Sequence, residues 1–134
     1  MRYEVLEHTA DVMVRCRGKT LEECFENAAY ALSDQTVDAT KVEAKDMFSV
    51  DVTGGDDEER LYAFLSEILF LQDAEYYAFS EFRVTINGDR VTAQIYGEPL
   101  DVKKHRAKTE VKAITYHMMK VDPSVPELTV VFDI

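Results

Sequence analysis

The chain has 134 residues, 46% of them hydrophobic and 31% charged, with five Gly and three Pro. That is enough apolar material for one core of ordinary domain size, and it excludes a disordered or collagen-like chain. A formal net charge of −11 argues against general nucleic-acid binding, because non-specific affinity for phosphates comes from neutralising them with Lys and Arg.

The charge is uneven. Residues 1–76 carry 18 acidic and 7 basic side chains, whereas residues 77–134 carry 8 of each. Such a surface suits a positively charged protein partner or a bound cation. No run approaches the ~18 consecutive apolar residues of a membrane-spanning helix. The opening Met1-Arg2-Tyr3-Glu4-Val5 lacks the apolar segment of a secretory leader, so a cytoplasmic chain is expected. Cys16 and Cys24 have neither metal-site nor redox spacing, and Cys24, on the apolar stripe of a predicted helix, reads as a buried free thiol.

In chain order, residues 2–6 and 12–17 read as strands. In the second, Val12, Val14 and Cys16 alternate with Met13, Arg15 and Arg17, the pattern of a half-buried strand. Gly18-Lys19 ends it, and Thr20 with Glu23 forms a capping box for a helix whose stripe is Leu21, Cys24, Phe25, Ala28, Ala29 and Leu32. Residues 47–53 alternate as a strand that Gly54-Gly55 breaks. A second helix starts in Asp56-Asp57-Glu58-Glu59, where negative charge favours a helix N-terminus. Its stripe is Leu61, Phe64, Leu65, Ile68 and Leu69, widened by Phe70 and Leu71, which predicts burial on more than one side. The runs at 82–86 and 91–96 flank Asn87-Gly88 and predict a hairpin.

Residues 97–106 read as irregular or a brief helical turn. From Val111 to Val121 the β-branched and aromatic residues favour a strand, although Val111, Ile114, Met118 and Val121 also fit a helical stripe; the strand is preferred. A turn from Asp122 to Pro126 leads into a last strand at 128–132. With few strand pairs separated by a crossover helix, the order predicts one α+β domain. Its expected architecture is a two-layer sandwich, a largely antiparallel or mixed β-sheet covered by two α-helices.

Three segments could carry chemistry. His8-Thr9-Ala10-Asp11 joins two strands; it is either a turn in which Thr9 or Asp11 bonds local backbone, or a connection presenting reactive groups from a rigid scaffold. Val130-Val131-Phe132-Asp133-Ile134 stops directly after an apolar strand, so Asp133 and the carboxylate of Ile134 are expected to be held in place. Together with Asp11 they would supply oxygen donors for a hard cation; the alternative is a solvated strand end. The basic run Lys103, Lys104, His105, Arg106 and Lys108, continuing to Lys112, could read a phosphate or an acidic surface, though the ordinary role of such a run is a solvated face. His117 in an alternating strand reads as structural. No Gly-rich phosphate loop, zinc spacing or Gly-x-Ser-x-Gly elbow is present.

Taken together, several blocks resemble the archease family: His8-Thr9-Ala10-Asp11, Gly18-Lys19-Thr20-Leu21, Phe25-Glu26-Asn27-Ala28-Ala29, Phe79-Ser80-Glu81-Phe82, Gly97-Glu98-Pro99 with Asp101 and His105, Val111 to His117, and Val131-Phe132-Asp133-Ile134. The resemblance runs over essentially the whole chain. It implies a two-layer α+β fold with strand-helix-strand-strand units. It also implies a metal-binding activator of the GTP-dependent tRNA-splicing RNA ligase of the RtcB type, promoting its guanylylation and repeated turnover rather than acting as an enzyme. A chaperone-like role toward a tRNA cytosine methyltransferase is a second implied role. The implied cofactor is a divalent ion, Ca2+, on Asp11, Asp133 and Ile134. His8, Thr9 and His117 are candidates to support that site, and Lys103, Lys104, Arg106 and Lys112 to contact a partner. The compact turn from Asp122 to Pro126 departs from relatives that carry a longer, aromatic-containing connection. A metal-dependent hydrolase using Asp11 with His8 or His117, and a direct RNA binder using residues 103–112, are the competing expectations.

Overall fold

The computed structural model describes residues 2–8 and 11–134, with Glu7 and His8 described by backbone alone. Strands β1 (Tyr3–His8) and β2 (Asp11–Arg17) precede helix α1 (Leu21–Thr36). At its start the Glu23 N–H donates to Thr20 Oγ1 at 3.1 Å, while Glu23 Oε1 accepts from the Lys19 N–H at 3.2 Å. The cap is thus the expected one, with the glutamate reaching one residue further back. Strand β3 (Asp46–Thr53) leads to helix α2 (Asp57–Glu75), capped by Asp56, whose Oδ1 accepts from the Glu59 N–H at 2.8 Å. Helix α2 stops at Tyr76, which takes the left-handed conformation at φ 53°.

Strands β4 (Tyr77–Asn87) and β5 (Arg90–Pro99) form the expected hairpin, and both are longer than the alternation alone suggests. Asn87 pairs with Arg90, so the two loop residues are Gly88 and Asp89, one position on from Asn87-Gly88. Gly88 has φ +64° at the first central position, where a type II′ turn needs glycine. Strands β6 (Ala113–Asp122) and β7 (Glu127–Asp133) complete the chain.

All strand pairs are antiparallel, and the strands divide between two sheets of order β1-β2-β7-β6 and β3-β5-β4. The second sheet is one strand-helix-strand-strand unit, β3-α2-β4-β5. The same order recurs as β2-α1-β6-β7 in the first sheet, with the other unit inserted between α1 and β6. Each helix packs against the first strand of its own unit and against a hairpin strand of the other: α1 on β2 and β4, α2 on β3 and β6. That explains the wide apolar arcs, since a helix touching two sheets must bury more than one face. Phe70, by contrast, is exposed. Val12, Val14 and Cys16 of β2 and Leu128, Val130 and Phe132 of β7 meet both helices and the second sheet in a single core.

Strand β6 resolves the ambiguity of its sequence. Thr115 pairs with Val131 and Lys120 with Thr129, so the four residues from Tyr116 to Met119 stand opposite Val130 alone. Met118 there has φ +55°, and Tyr116 stacks on Tyr62 of α2 with centroids 4.2 Å apart. A bulge of this size on an outer strand interrupts the row of free backbone groups that would otherwise invite edge pairing.

Candidate functional site

Strand β2 pairs with β7 without a register shift, from Arg17 opposite Glu127 to Asp11 opposite Asp133. The buried pairs Val12–Phe132, Val14–Val130 and Cys16–Leu128 fix this register, because a one-residue slip would turn every apolar side chain outward. The core therefore sets Asp11 directly across from Asp133. On its other side Asp133 pairs with Ala113 of β6, and its carbonyl accepts the Lys112 N–H at 2.7 Å. Asp11 is half-buried, Asp133 exposed, and Ile134 packs partly against the core. Two aspartates on directly opposed residues repel unless water or a cation separates them.

The chemistry of this donor set, carboxylate and backbone oxygen, fits a hard cation such as Ca2+ and not a thiolate- or imidazole-bound metal. Among the described residues no group of three or more His, Cys, Asp or Glu side chains could hold a metal. The aspartates alone thus give an incomplete shell. Of the residues expected to support the site, Thr9 and the side chain of His8 lie outside the described residues. His117 is exposed on the β6 bulge, and its N–H donates to Thr115 Oγ1 at 3.0 Å. The register puts it in the bulge opposite Val130, three residues along β7 from Asp133, so strand pairing does not set it beside the aspartates.

The basic run does not act as one patch. Lys103, Arg106 and Lys112 are exposed. Lys104 Nζ lies 2.9 Å from both Glu43 Oε1 and Glu98 Oε2, and Lys108 Nζ donates to the Asp34 carbonyl at 2.9 Å. Within the run sits a group with a different role: His105 is fully buried, with Nε2 2.9 Å from Glu98 Oε2. Nothing in the alternation of β5 marks Glu98 as inward-facing. Cys16 and Cys24 are both free and buried, Cys24 as expected, and burial pushes their thiols up to about 12 and about 11, which keeps them from acting as nucleophiles or metal ligands at neutral pH.

Residues 3–134 match the model of the archease protein family (MTH1598/TM1083). The chain belongs to the archease family. Over 125 residues it is 48% identical to protein archease of Pyrococcus abyssi, covering 90% of this chain and 88% of that one. The solution structure of Methanobacterium thermoautotrophicum protein 1598 shares the fold with a TM-score of 0.85 and 34% identity over 99% of both chains. A crystal structure from Thermotoga maritima described as an archease, possible chaperone, aligns with a TM-score of 0.65 at 21% identity, covering 98% of this chain and 96% of that one. These likenesses agree with the α+β architecture described above, so the archease blocks in the sequence identify both family and fold. No helix is long and apolar enough to cross a membrane among the described residues.

Proposed function

We propose that this archease is a cytoplasmic accessory protein that holds a divalent cation, Ca2+, on Asp11, Asp133 and the backbone oxygens of Ile134. In that role it activates a GTP-dependent tRNA-splicing RNA ligase of the RtcB type, promoting guanylylation and repeated turnover, and it is not itself an enzyme. The observation that carries the cation reading is the β2–β7 register that sets Asp11 opposite Asp133. Ca2+ takes ~6–8 oxygen ligands, more than these residues supply, so water or a partner's oxygens would complete the shell. An open, anionic edge of this kind suits a helper that meets another protein. The acidic surface, with Lys104 and Lys108 of the basic run tied in local pairs, supports a protein partner over direct binding of RNA. The hydrolase reading loses the support of His117, which lies in the bulge opposite Val130 and is not paired beside the aspartates.

The test uses the cognate ligase in limiting amount, with guanylylation and ligated product followed over many turnovers. Added wild-type protein should raise both, and Asp11→Ala should keep the fold, read by circular dichroism, while losing the gain. No gain from the wild type would overturn the helper role. A folded Asp11→Ala that activates fully would overturn the part assigned to the cation. The family structure described as a possible chaperone favours one second reading, a chaperone-like role toward a tRNA cytosine methyltransferase; it predicts recovery of methyltransferase activity after thermal stress only when this protein is present.

A further inference from the structure

The two strand-helix-strand-strand units build equivalent sheets, β2-β7-β6 and β3-β5-β4. In the first, β1 lies beside β2; in the second, β3 is instead the edge of its sheet. Among the described elements only β5 and α2 pack against β3. Burial reflects the difference. With β1 alongside, Val12, Val14 and Cys16 of β2 are at most 1% exposed. Of the inward residues of β3 only Val50 is buried, and Phe48 and Val52 stay half-buried.

The other edges are guarded. Strand β1 has a register shift between Val5 and Glu7. Strand β4 has one between Phe79 and Glu81, and Glu26 Oε2 accepts its Val84 N–H at 2.9 Å. Strand β6 has the bulge opposite Val130, and Glu58 Oε1 accepts its Val121 N–H at 3.2 Å. Bulges and covered backbone groups are how edge strands avoid pairing with another chain. Strand β3 pairs with β5 in unbroken register, from Asp46 opposite Gly97 to Thr53 opposite Arg90. The side chains of Tyr77 and Arg90 that bond it reach the carboxylates of Asp46 and Asp51, not its backbone. The Gly54 N–H bonds the Asp89 carbonyl at 3.0 Å, so the alternation of an antiparallel pair turns the backbone groups of Val52, Val50, Phe48 and Asp46 to β5. Those of Met47, Ser49, Asp51 and Thr53 point outward, and all of these residues are exposed.

We propose that the free edge of β3 docks an extended segment of a protein partner, which adds antiparallel to it as β1 adds to β2. The backbone of the segment bonds Met47, Ser49, Asp51 and Thr53. Apolar side chains at every second position cover Phe48 and Val52, and the residues between them are basic. Charge complementarity argues for that partner: residues 1–76 carry 18 acidic and 7 basic side chains, and β3 itself has Asp46 and Asp51 and no base. The same charge opposes pairing with a second copy, since like charges facing each other across an antiparallel pair are destabilising. The edge belongs to the sheet that holds neither Asp11 nor Asp133, so the proposal stands whether or not the cation reading holds.

The experiment follows amide exchange and chemical shifts of the isotope-labelled full chain, in the presence of a chelator, with three short end-blocked peptides. One alternates lysine with valine and the second alternates glutamate with valine. The third is the lysine peptide N-methylated at every lysine, the residues whose amides an antiparallel addition turns towards β3. The lysine peptide should slow exchange at Met47, Ser49, Asp51 and Thr53 at least tenfold and bind at least tenfold tighter than the glutamate peptide. The methylated peptide should give no such protection. Ser49→Pro removes one outward donor where an edge strand tolerates proline, and it should lose the protection while shifts in the other sheet stay unchanged; if that variant fails to fold, the methylated peptide still decides. Lysine peptide binding without protection of those amides, or equal protection by the methylated peptide, would overturn the strand addition. Equal binding of the glutamate peptide would overturn the basic partner. Protection that grows with protein concentration alone would overturn the partner in favour of a second copy.

Discussion

The Asp101 N–H points at Nδ1 of His105 at 3.0 Å, which makes that nitrogen the acceptor and leaves the imidazole proton on Nε2. From there it donates to Glu98 Oε2, so the tautomer is set by the backbone rather than by solvent. Glu98 also accepts the Glu43 N–H at 2.8 Å and the Lys104 ammonium. It thereby ties the end of β5 to the segment before β3 and to the loop after Pro99. The Glu43 N–H most of all, then the His105 and Lys104 bonds, hold the Glu98 carboxyl down at about 2, against an ordinary 4.5, and burial opposes them. A carboxyl lowered by folding stabilises the native state above its unfolded value, and that contribution is lost as pH falls from about 4.5 towards 2. Glu98→Gln should therefore cost about 2 kcal/mol at neutral pH, in the range for hydrogen bonds to charged groups. The difference from wild type, measured by urea denaturation across a pH series, should shrink through that window. A difference that stays constant with pH would show that the charge of Glu98 contributes nothing.

At the scale of elements, β4 and β5 approach more closely than two ordinary strands can. Gly97 pairs with Phe79, and Glu81 with Tyr96, so Ser80 is an extra residue opposite the glycine. A Cβ built on Gly97 would lie 1.8 Å from the Ala78 carbonyl oxygen, which is backbone and cannot turn aside. Gly97→Ala should open the hairpin at this point and destabilise the fold by at least ~2 kcal/mol, as overpacking does. The lowered denaturation midpoint should be accompanied by faster amide exchange at Lys45, whose N–H bonds the Gly97 carbonyl at 3.1 Å; unchanged exchange there would place the damage elsewhere. The elements themselves were largely legible, because Thr20 and Asp56 mark helix starts and the alternation of β2, β3 and β5 needs only neighbours in sequence. What was not legible depends on contacts distant in sequence. Tyr77 to Glu81 extend β4 because they pair with β5. Val111 to Val121 satisfied strand and helix patterns at once because a strand with four residues opposite one no longer alternates. His105 read as part of a basic surface run and nothing local marked Glu98, and only the fold turns them inward. The division of the described strands between two sheets follows from β2 meeting β7, a pairing that no local pattern encodes.

Across the whole molecule, a chain with net charge −11 folds against its own repulsion, and its first and last core strands set Asp11 opposite Asp133. Like charges directly across an antiparallel pair cost roughly 0.2–1 kcal/mol. The same arrangement is what a divalent cation would neutralise, so stability without metal and affinity for metal should trade against each other. Replacing both residues, Asp11→Asn with Asp133→Asn, should raise the stability of the metal-free protein by about that amount at low salt, with the gain fading as salt screens it. Wild type should in turn be stabilised by Ca2+ through binding to the native state, by about 2.7 kcal/mol when free Ca2+ is a hundredfold above its dissociation constant. The double variant should show no such rise. Thermal unfolding of both proteins with chelator, with Ca2+ and with matched NaCl separates specific binding from screening, because screening stabilises both chains in proportion to ionic strength. If the variant responds to Ca2+ as wild type does, the ion acts on the acidic surface of residues 1–76 at large. The register of β2 against β7 would then serve only to close the sheet.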